Sequence, residues 1–454
     1  MNFINKIYLS PLLALAAATA IAQNPIVPEG MYMSDPSARQ WTKGGPVYIY
    51  GSRDESLNYY CSYDYDVLVS DDMKTFKLHP YVFSSRGDND QVSYNDNLLF
   101  APDCIYKDGK YYLFYCQGGS QGAEGVATSD SPTGPFKDGK LIKEATEIDP
   151  SVFFDTDGNP YLFYGQYSGK AVPLSKDLMP IDQAAIKNNI ITEKDHAFHE
   201  GIQVLKRGDW YYLVYADISQ RGMPTSIGYS MSRNLMGPYE YKGVIVDNFG
   251  CDPNVWNNHG SIAEVDGKWY VFYHRATNGS EYMRKACVEP ITFNPDGTIN
   301  QVEMTTQGAA GPLNPFDTME AWRTCYLMGN ARISLIKQGD YHTNTPGVEM
   351  ITNIRNRDSA AFRYFDFTKM PKKITVTVVP EAGGSIDVFA NNLSRPRLAV
   401  IKVPEGNGNT PLTITVDVHA PSEKSFLGVH PIFFRFHGAK GKDLMKFVSF
   451  KFEE

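Results

Sequence analysis

The chain has 454 residues, of which 13% are aromatic and 21% charged, with a formal net charge of −8. Its 29 Tyr and 25 Phe, without long Ala/Glu/Lys periodic runs, favour strands over helices and an all-β class. There is no long basic run, so nucleic acid is not an expected partner, and the length suits one large β domain plus a smaller one.

In chain order, the first stretch is "MNFINKIYLSPLLALAAATAIAQ". Lys6 gives a positive start, Pro11 to Ala22 an apolar run, and Ala20-Ile21-Ala22 an A-x-A cleavage pattern. Residues 1–22 therefore predict an export signal, with the mature protein starting at Gln23 and residing in a periplasm or outside the cell. The run is short for a bilayer span, and no other candidate span follows. No Cys follows the cleavage site, so lipid anchoring is not expected.

Next comes an aromatic tetrad that recurs five times: VYIY at Val47, YLFY at Tyr112, YLFY at Tyr161, YLVY at Tyr212 and YVFY at Tyr270. The intervals are 65, 49, 51 and 58 residues. Four of the five follow a polar turn, three of which contain Asp-Gly (Asp108-Gly109, Asp157-Gly158, Asp266-Gly267), a tight hairpin signal. "GVATSDSPTGPF" from Gly125 and "IGYSMSRNLMGPY" from Ile227 add a further strand and a Pro/Gly turn. Units of this length and content predict five blades of a β-propeller over residues 23–304, in preference to unrelated hairpins of a sandwich.

Upstream of each tetrad stands one ionisable residue: Asp35, Asp103, Asp149, Glu200 and His259, at 12, 9, 12, 12 and 11 residues. In a propeller the first strand of each blade lines the central channel, so four carboxylates and an imidazole are expected to converge at one end. Like charges held close cannot all ionise, and a raised carboxyl pKa is what general acid catalysis needs. Six cysteines (Cys61, Cys104, Cys116, Cys251, Cys287, Cys325) lack C-x-x-C spacing, so zinc is not expected. Whether they pair or are buried thiols is left open.

Taken together, Asp35-Pro36, "APD" at Ala101, "IDPSVF" at Ile148, "HEG" at His199 and "NHGSI" at Asn258 resemble glycoside hydrolase family 43, in order, from about Pro28 to Asn300. The resemblance implies a five-bladed propeller that hydrolyses arabinofuranosides, xylosides or galactosides with inversion. It implies Asp35 as general base, Glu200 as general acid, and Asp149 as the carboxylate that orients the acid and raises its pKa. Arg284, in "EYMRKACVEPITFNPDG", would touch the sugar, and His259 would be the central histidine. Inversion needs one neutral carboxyl to protonate the leaving oxygen and a second carboxylate to activate water, about 6.5–9.5 Å apart. Asp103 is read as structural. His199 is expected to orient Glu200 or solvate its loop, and Trp41, Trp256 and Tyr32 are candidates for sugar stacking or for packing. No cofactor is required. Calcium beside His259 is the one metal expectation, although a hard cation prefers oxygen ligands.

After Asn300 the blade pattern stops. "TTQGAAGPLNPFDTMEAW" contains the expected linker, residues 305–318. "KKITVTVVP", "SIDVFANN", "RLAVIKVP", "PLTITVDV", "HPIFFRFHG" and "MKFVSFKFEE" then read as strands of a jelly-roll-like β-sandwich over 319–454. "MEAW", "GGSIDVFANN" and "HPIFFRFHG" resemble a family 6 carbohydrate-binding module. Where that family shows Glu-Ala-Glu, this chain has Glu320-Ala321-Trp322. Packing and sugar binding are both open roles for it.

The leading expectation is a monomeric, exported, inverting exo-glycosidase acting on oligo- or polysaccharide. An α-L-arabinofuranoside is the first substrate, with a β-xyloside or terminal galactoside next. A fructan hydrolase would begin with an Asn-Asp-Pro-Asn-Gly type motif, and Ser34-Asp35-Pro36-Ser37 counts against it. A catalytically silent, glycan-binding propeller would be expected to lose a carboxylate, and all three are present.

Overall fold

A computed structural model describes residues 19–21, 23–118, 123–179, 182–220, 226–252, 257–394 and 396–454. The expected signal segment therefore lies almost wholly outside the described residues. Among those residues no helix is long and apolar enough to cross a membrane.

Five antiparallel sheets follow in chain order, each with its first strand at one edge. These inner strands are Ser34–Gln40, Asp103–Lys107, Ser151–Phe154, Phe198–Arg207 and Ser261–Val265. Each tetrad lies in the strand hydrogen-bonded to the inner one. Blades three and five have three strands among the described residues, fewer than the four-strand unit expected. Asp108-Gly109 and Asp266-Gly267 have positive φ at both positions (50° and 86°, 49° and 82°), the backbone a two-residue hairpin with matching twist requires. Apolar faces of neighbouring blades pack on each other, as where Tyr212, Tyr229 and Tyr273 share a core with Val271 and Cys287.

An inner strand is an edge strand, and its free N–H groups need partners. One polar side chain per blade bonds across each seam, and at four of the five seams it accepts from a backbone N–H of the neighbouring inner strand. Ser37 Oγ donates to Asp103 Oδ1 at 2.7 Å, and Asp103 Oδ2 accepts from Val152 N at 2.8 Å. Ser151 Oγ accepts from Val204 N at 3.3 Å, and Gln203 Oε1 accepts from Ile262 N at 2.7 Å. Ser261 Oγ closes the ring by accepting from Ala38 N at 3.0 Å and donating to Pro36 O at 2.8 Å. Asp103 belongs to this seam set, where Arg39 also pairs with it at 2.5 Å. The expected convergence of four carboxylates is corrected accordingly: three carboxylates and an imidazole meet in the channel. The shorter spacing before Asp103 is the spacing of the seam position, and Ala101 faces the channel in its place.

The C-terminal part is two sheets face to face. One runs Arg332–Lys337, Val348–Thr352, Met445–Glu453, Lys373–Pro380, Leu412–Asp417, and the other Tyr326–Met328, Ser359–Phe367, Gly428–His437, Gly384–Ala390, Arg397–Val403. Phe362, Phe434, Phe447 and Phe450 pack edge-on or tilted between them, with Phe434 and Phe450 centroids 4.7 Å apart. Residues 305–318 bridge the two units under hydrogen-bond restraint. Thr305 Oγ1 donates to Glu289 Oε2 at 2.7 Å, Thr306 N donates to Arg363 O at 2.7 Å, and Leu313 N donates to Tyr364 O at 2.8 Å. All six cysteines are buried free thiols.

Candidate active site

The catalytic candidates stand where each inner strand begins, and all three stand at a left-handed turn of the backbone. Asp35 (φ 53°) and Asp149 (φ 65°) adopt it themselves, and Glu200 precedes Gly201 (φ 74°). The ladder skips register between Ser34 and Ser37 and again around Glu200, so these are bulges. A bulge re-aims a side chain that regular pleating would send elsewhere, at a backbone cost of about 1–3 kcal/mol that functional sites tolerate. Gly201 has a second reason to be glycine. A Cβ there would lie 2.8 Å from the His259 ring, which packs against its bare face.

These residues enclose a cavity of about 250 Å³ lined by Asp35, Asp149, Glu200, His259, Arg284 and Asn257, with Tyr60, Phe100, Gln166, Tyr167 and His199 at its walls. That is below the roughly 300–1,000 Å³ of pockets for drug-sized ligands and suits one sugar ring. His259 sits at the centre, its Nδ1 3.8 Å from Asp35 Oδ1 and 3.9 Å from Asp149 Oδ2. Burial lowers the His259 pKa despite the carboxylates around it, so the ring is neutral at ordinary pH.

Asp35 is engaged on both oxygens. Arg284 Nη1 donates to Oδ1 at 2.9 Å, and Ser52 Oγ donates to Oδ2 at 2.8 Å. Its backbone N–H donates to His274 Nδ1 at 3.2 Å, which leaves Nε2 of that ring to donate to Asn257 Oδ1 at 2.7 Å. Burial alone would raise the Asp35 pKa. Arg284 above all, with His259, His274 and Ser52, outweighs it and holds the carboxyl at about 2. Asp149 goes the other way. Burial and the charges of Glu200 and Asp35 push its pKa well up, against the pull of Arg284; its backbone N–H donates to Cys116 Sγ at 3.3 Å. The raised carboxyl expected in the channel is thus found at Asp149. Glu200 accepts from Gln166 Nε2 at 2.8 Å, and His199 Nε2 lies 3.9 Å from it. His199 is itself held by Glu193, 2.9 Å from its Nδ1.

Two stacking candidates are corrected. Trp41 lies beyond the far end of the inner strand, six residues from Asp35 at about 3.3 Å per residue. It packs edge-on against Tyr111 at 5.9 Å, away from the cavity. Tyr32 is fully buried and donates to Glu349 Oε1 at 2.9 Å. Trp256 lies outside the described residues. The calcium expectation meets a poor donor set: one imidazole faces two carboxylates already bound by Arg284, Ser52 and Cys116, whereas calcium takes 6–8 oxygens. Among the described residues no group of three His, Cys, Asp or Glu is placed to hold a metal.

Sequence reasoning missed Asp54, Gln166, His274 and Asn257. His274 follows the fifth tetrad directly, so the tetrad's end was an available signal there; Asp54 lies four residues past the end of the first.

Comparison with known proteins agrees with this geometry. The profile of glycosyl hydrolases family 43 matches residues 22–299. A "Xylosidase/arabinosidase" of Thermoclostridium stercorarium is 28% identical over 94% of this chain and 98% of its own length. An "Arabinoxylan arabinofuranohydrolase" of Bacillus subtilis (strain 168) is 26% identical over 97% and 95%. Among solved structures, a family 43 β-xylosidase/α-arabinofuranosidase from a compost metagenome, in complex with xylotriose and calcium-free, superposes with TM-score 0.53 at 29% identity, covering 63% of this chain and 98% of its own. A Bacillus subtilis arabinoxylan arabinofuranohydrolase in complex with cellotetraose gives TM-score 0.53 at 23% identity over 96% and 99%, a likeness of fold that includes the sandwich.

Proposed function

The chain belongs to glycosyl hydrolases family 43 and is a glycoside hydrolase, and we propose that it removes single α-L-arabinofuranosyl residues from the side chains of a plant polysaccharide. The carrying observation is Asp35, fixed by Arg284 and Ser52, lining the same one-sugar-sized cavity as Glu200. Asp35 takes a proton from a water molecule as its oxygen adds to the anomeric carbon. Glu200 gives its proton to the glycosidic oxygen on the opposite face as that C–O bond breaks. The products are the free sugar with inverted anomeric configuration and the shortened polymer carrying a hydroxyl.

Asp149 is the neighbouring carboxyl, its pKa raised by burial and by the charges of Glu200 and Asp35. Glu200 is the carboxyl that delivers the proton to the substrate: it lines the cavity, and Gln166 fixes one of its oxygens. Arg284 has two tasks, lowering the basicity of Asp35 and presenting a cation to sugar hydroxyls. His259 and Asn257 offer neutral hydrogen-bonding groups. The export signal at residues 1–22 and a start at Gln23 fit an enzyme that meets its polysaccharide outside the cytoplasm. For the sandwich, packing is the better-supported role: Trp322, its only Trp, is buried between Lys285 and Arg323 and offers no stacking face.

A β-xyloside is the second reading, favoured by relatives whose names join xylosidase and arabinosidase. The nitrophenyl glycosides of α-L-arabinofuranose, β-D-xylose and β-D-galactose, incubated with the mature protein, decide between them. Release from the arabinofuranoside at a kcat/KM well above the other two is the expected result. Preference for the xyloside would transfer the assignment to the second reading.

A further inference from the structure

On three segments around the site, one of them the strand Ser280–Ile291 and the other two at the ends of Ser34–Gln40 and Val47–Ser52, one residue serves the cavity while a close neighbour is gripped by the sandwich. The pairs are Asp35 and Tyr32, Asp54 and Arg53, and Arg284 and Lys285. Successive side chains of extended chain point to opposite sides, so a residue aimed at the channel has a neighbour aimed away from it. Two sandwich residues meet those neighbours. Glu349 pairs with Lys285 where neither side chain is exposed, and it accepts from Tyr32 Oη at 2.9 Å and from Gly30 N at 2.8 Å. Tyr341 lays its ring over the Arg53 guanidinium at 4.1 Å, with Tyr81 on the other face at 4.0 Å. Its hydroxyl accepts from Tyr32 N at 2.7 Å. Arg53 in turn is locked to Asp66 and Asp64, at 2.5 Å and 3.1 Å.

On the channel side, Asp54 is fully buried and accepts from Arg284 N at 2.8 Å, Nε at 2.9 Å and Nη2 at 2.8 Å. That grip leaves Nη1 as the group reaching Asp35. We propose that the sandwich domain is a positioning element of the active site, in which Tyr341 and Glu349 set the strands that make Asp54 aim Arg284 at Asp35. The inference rests on reading Asp35 as the base. Asp54 is a positioning residue by the same argument. The domain would then be part of the catalytic unit, whether or not it binds sugar.

The groups facing Asp35 are Arg284, His259, His274, Asp149 and Asp54, with the Ser34 and Ser52 hydroxyls. Only Arg284 among them is a permanent cation, so a loosened Arg284 lets Asp35 protonate at higher pH. In the full chain, Tyr341→Ala is expected to lower kcat about 10-fold or more, as misplacement of catalytic groups does, and to move the acid limb of kcat/KM upward. Tyr341→Phe keeps the ring over Arg53 but leaves the buried Tyr32 N–H without its acceptor, and is expected to fall between wild type and Tyr341→Ala in both. Tyr341→Leu, which keeps apolar bulk without the ring, asks the same question if the alanine variant melts early. A folded Tyr341→Ala or Tyr341→Leu protein with wild-type kcat and an unmoved acid limb would overturn the inference. Asp35→Asn, assayed beside them, separates the two claims: its loss of activity keeps the base assignment standing even if the Tyr341 variants prove silent.

Discussion

Asp35→Asn is expected to abolish hydrolysis of aryl glycoside and polysaccharide alike, a fall in kcat on the order of 10³–10⁴, the upper part of the range for a lost general base. The change is nearly isosteric, and the amide oxygen can still accept from Arg284 while its NH2 donates to the Ser52 hydroxyl, so the fold should survive. What is lost is the proton acceptor for water. No other described group around the cavity replaces it: His259 faces both carboxylates but sits between them, and Asp149 holds its proton well above the ordinary range. In the wild-type protein Asp35 ionises near pH 2. The acid limb of kcat/KM should therefore fall below the ordinary aspartate value of about 3.9, until the fold itself fails. Steady-state kinetics with a melting curve for each variant checks both statements. Residual kcat within about 10-fold of wild type would place the base elsewhere.

Glu200→Gln should divide substrates by their leaving groups. A polysaccharide oxygen departs only when protonated, so its hydrolysis should fall about 10²–10⁴-fold. A nitrophenolate leaves unaided, so its release should fall far less. Equal losses on both substrates would contradict the assignment, because then Glu200 would be contributing position or charge rather than a proton.

How much of this could be read in the sequence follows from what repeats. The tetrads mark one strand per blade, and their register located Asp35, Asp149, Glu200 and His259 correctly at the head of the neighbouring strand. The same register misled at Asp103, because seam and channel positions lie two or three residues apart on one strand and both favour polar residues. It could not place Trp41, whose aromatic character was legible and whose distance along the strand decided its role. Asp54 and Gln166 sit just past tetrads, where no pattern constrains them. In the sandwich, "ARISLIK" and "SAAFRYFDF" fold as strands that were not anticipated, since a register shift in each, at Leu335/Lys337 and at Phe362/Phe365, breaks a simple alternation. Glu349 and Tyr341 were beyond reach for a different reason: Glu349 acts 64 residues from Lys285 and 317 from Tyr32, and Tyr341 acts 309 residues from Tyr32, and nothing local to either announces it.

Inversion is the central claim, and the configuration of the first-formed sugar tests it most directly. Proton NMR of the products during the first minutes of hydrolysis, before the free sugar mutarotates, should show the anomer opposite to the substrate's. That outcome requires a single displacement by water activated at Asp35. Early product with the substrate's own configuration would mean a covalent intermediate, and would contradict the roles given to Asp35 and Glu200.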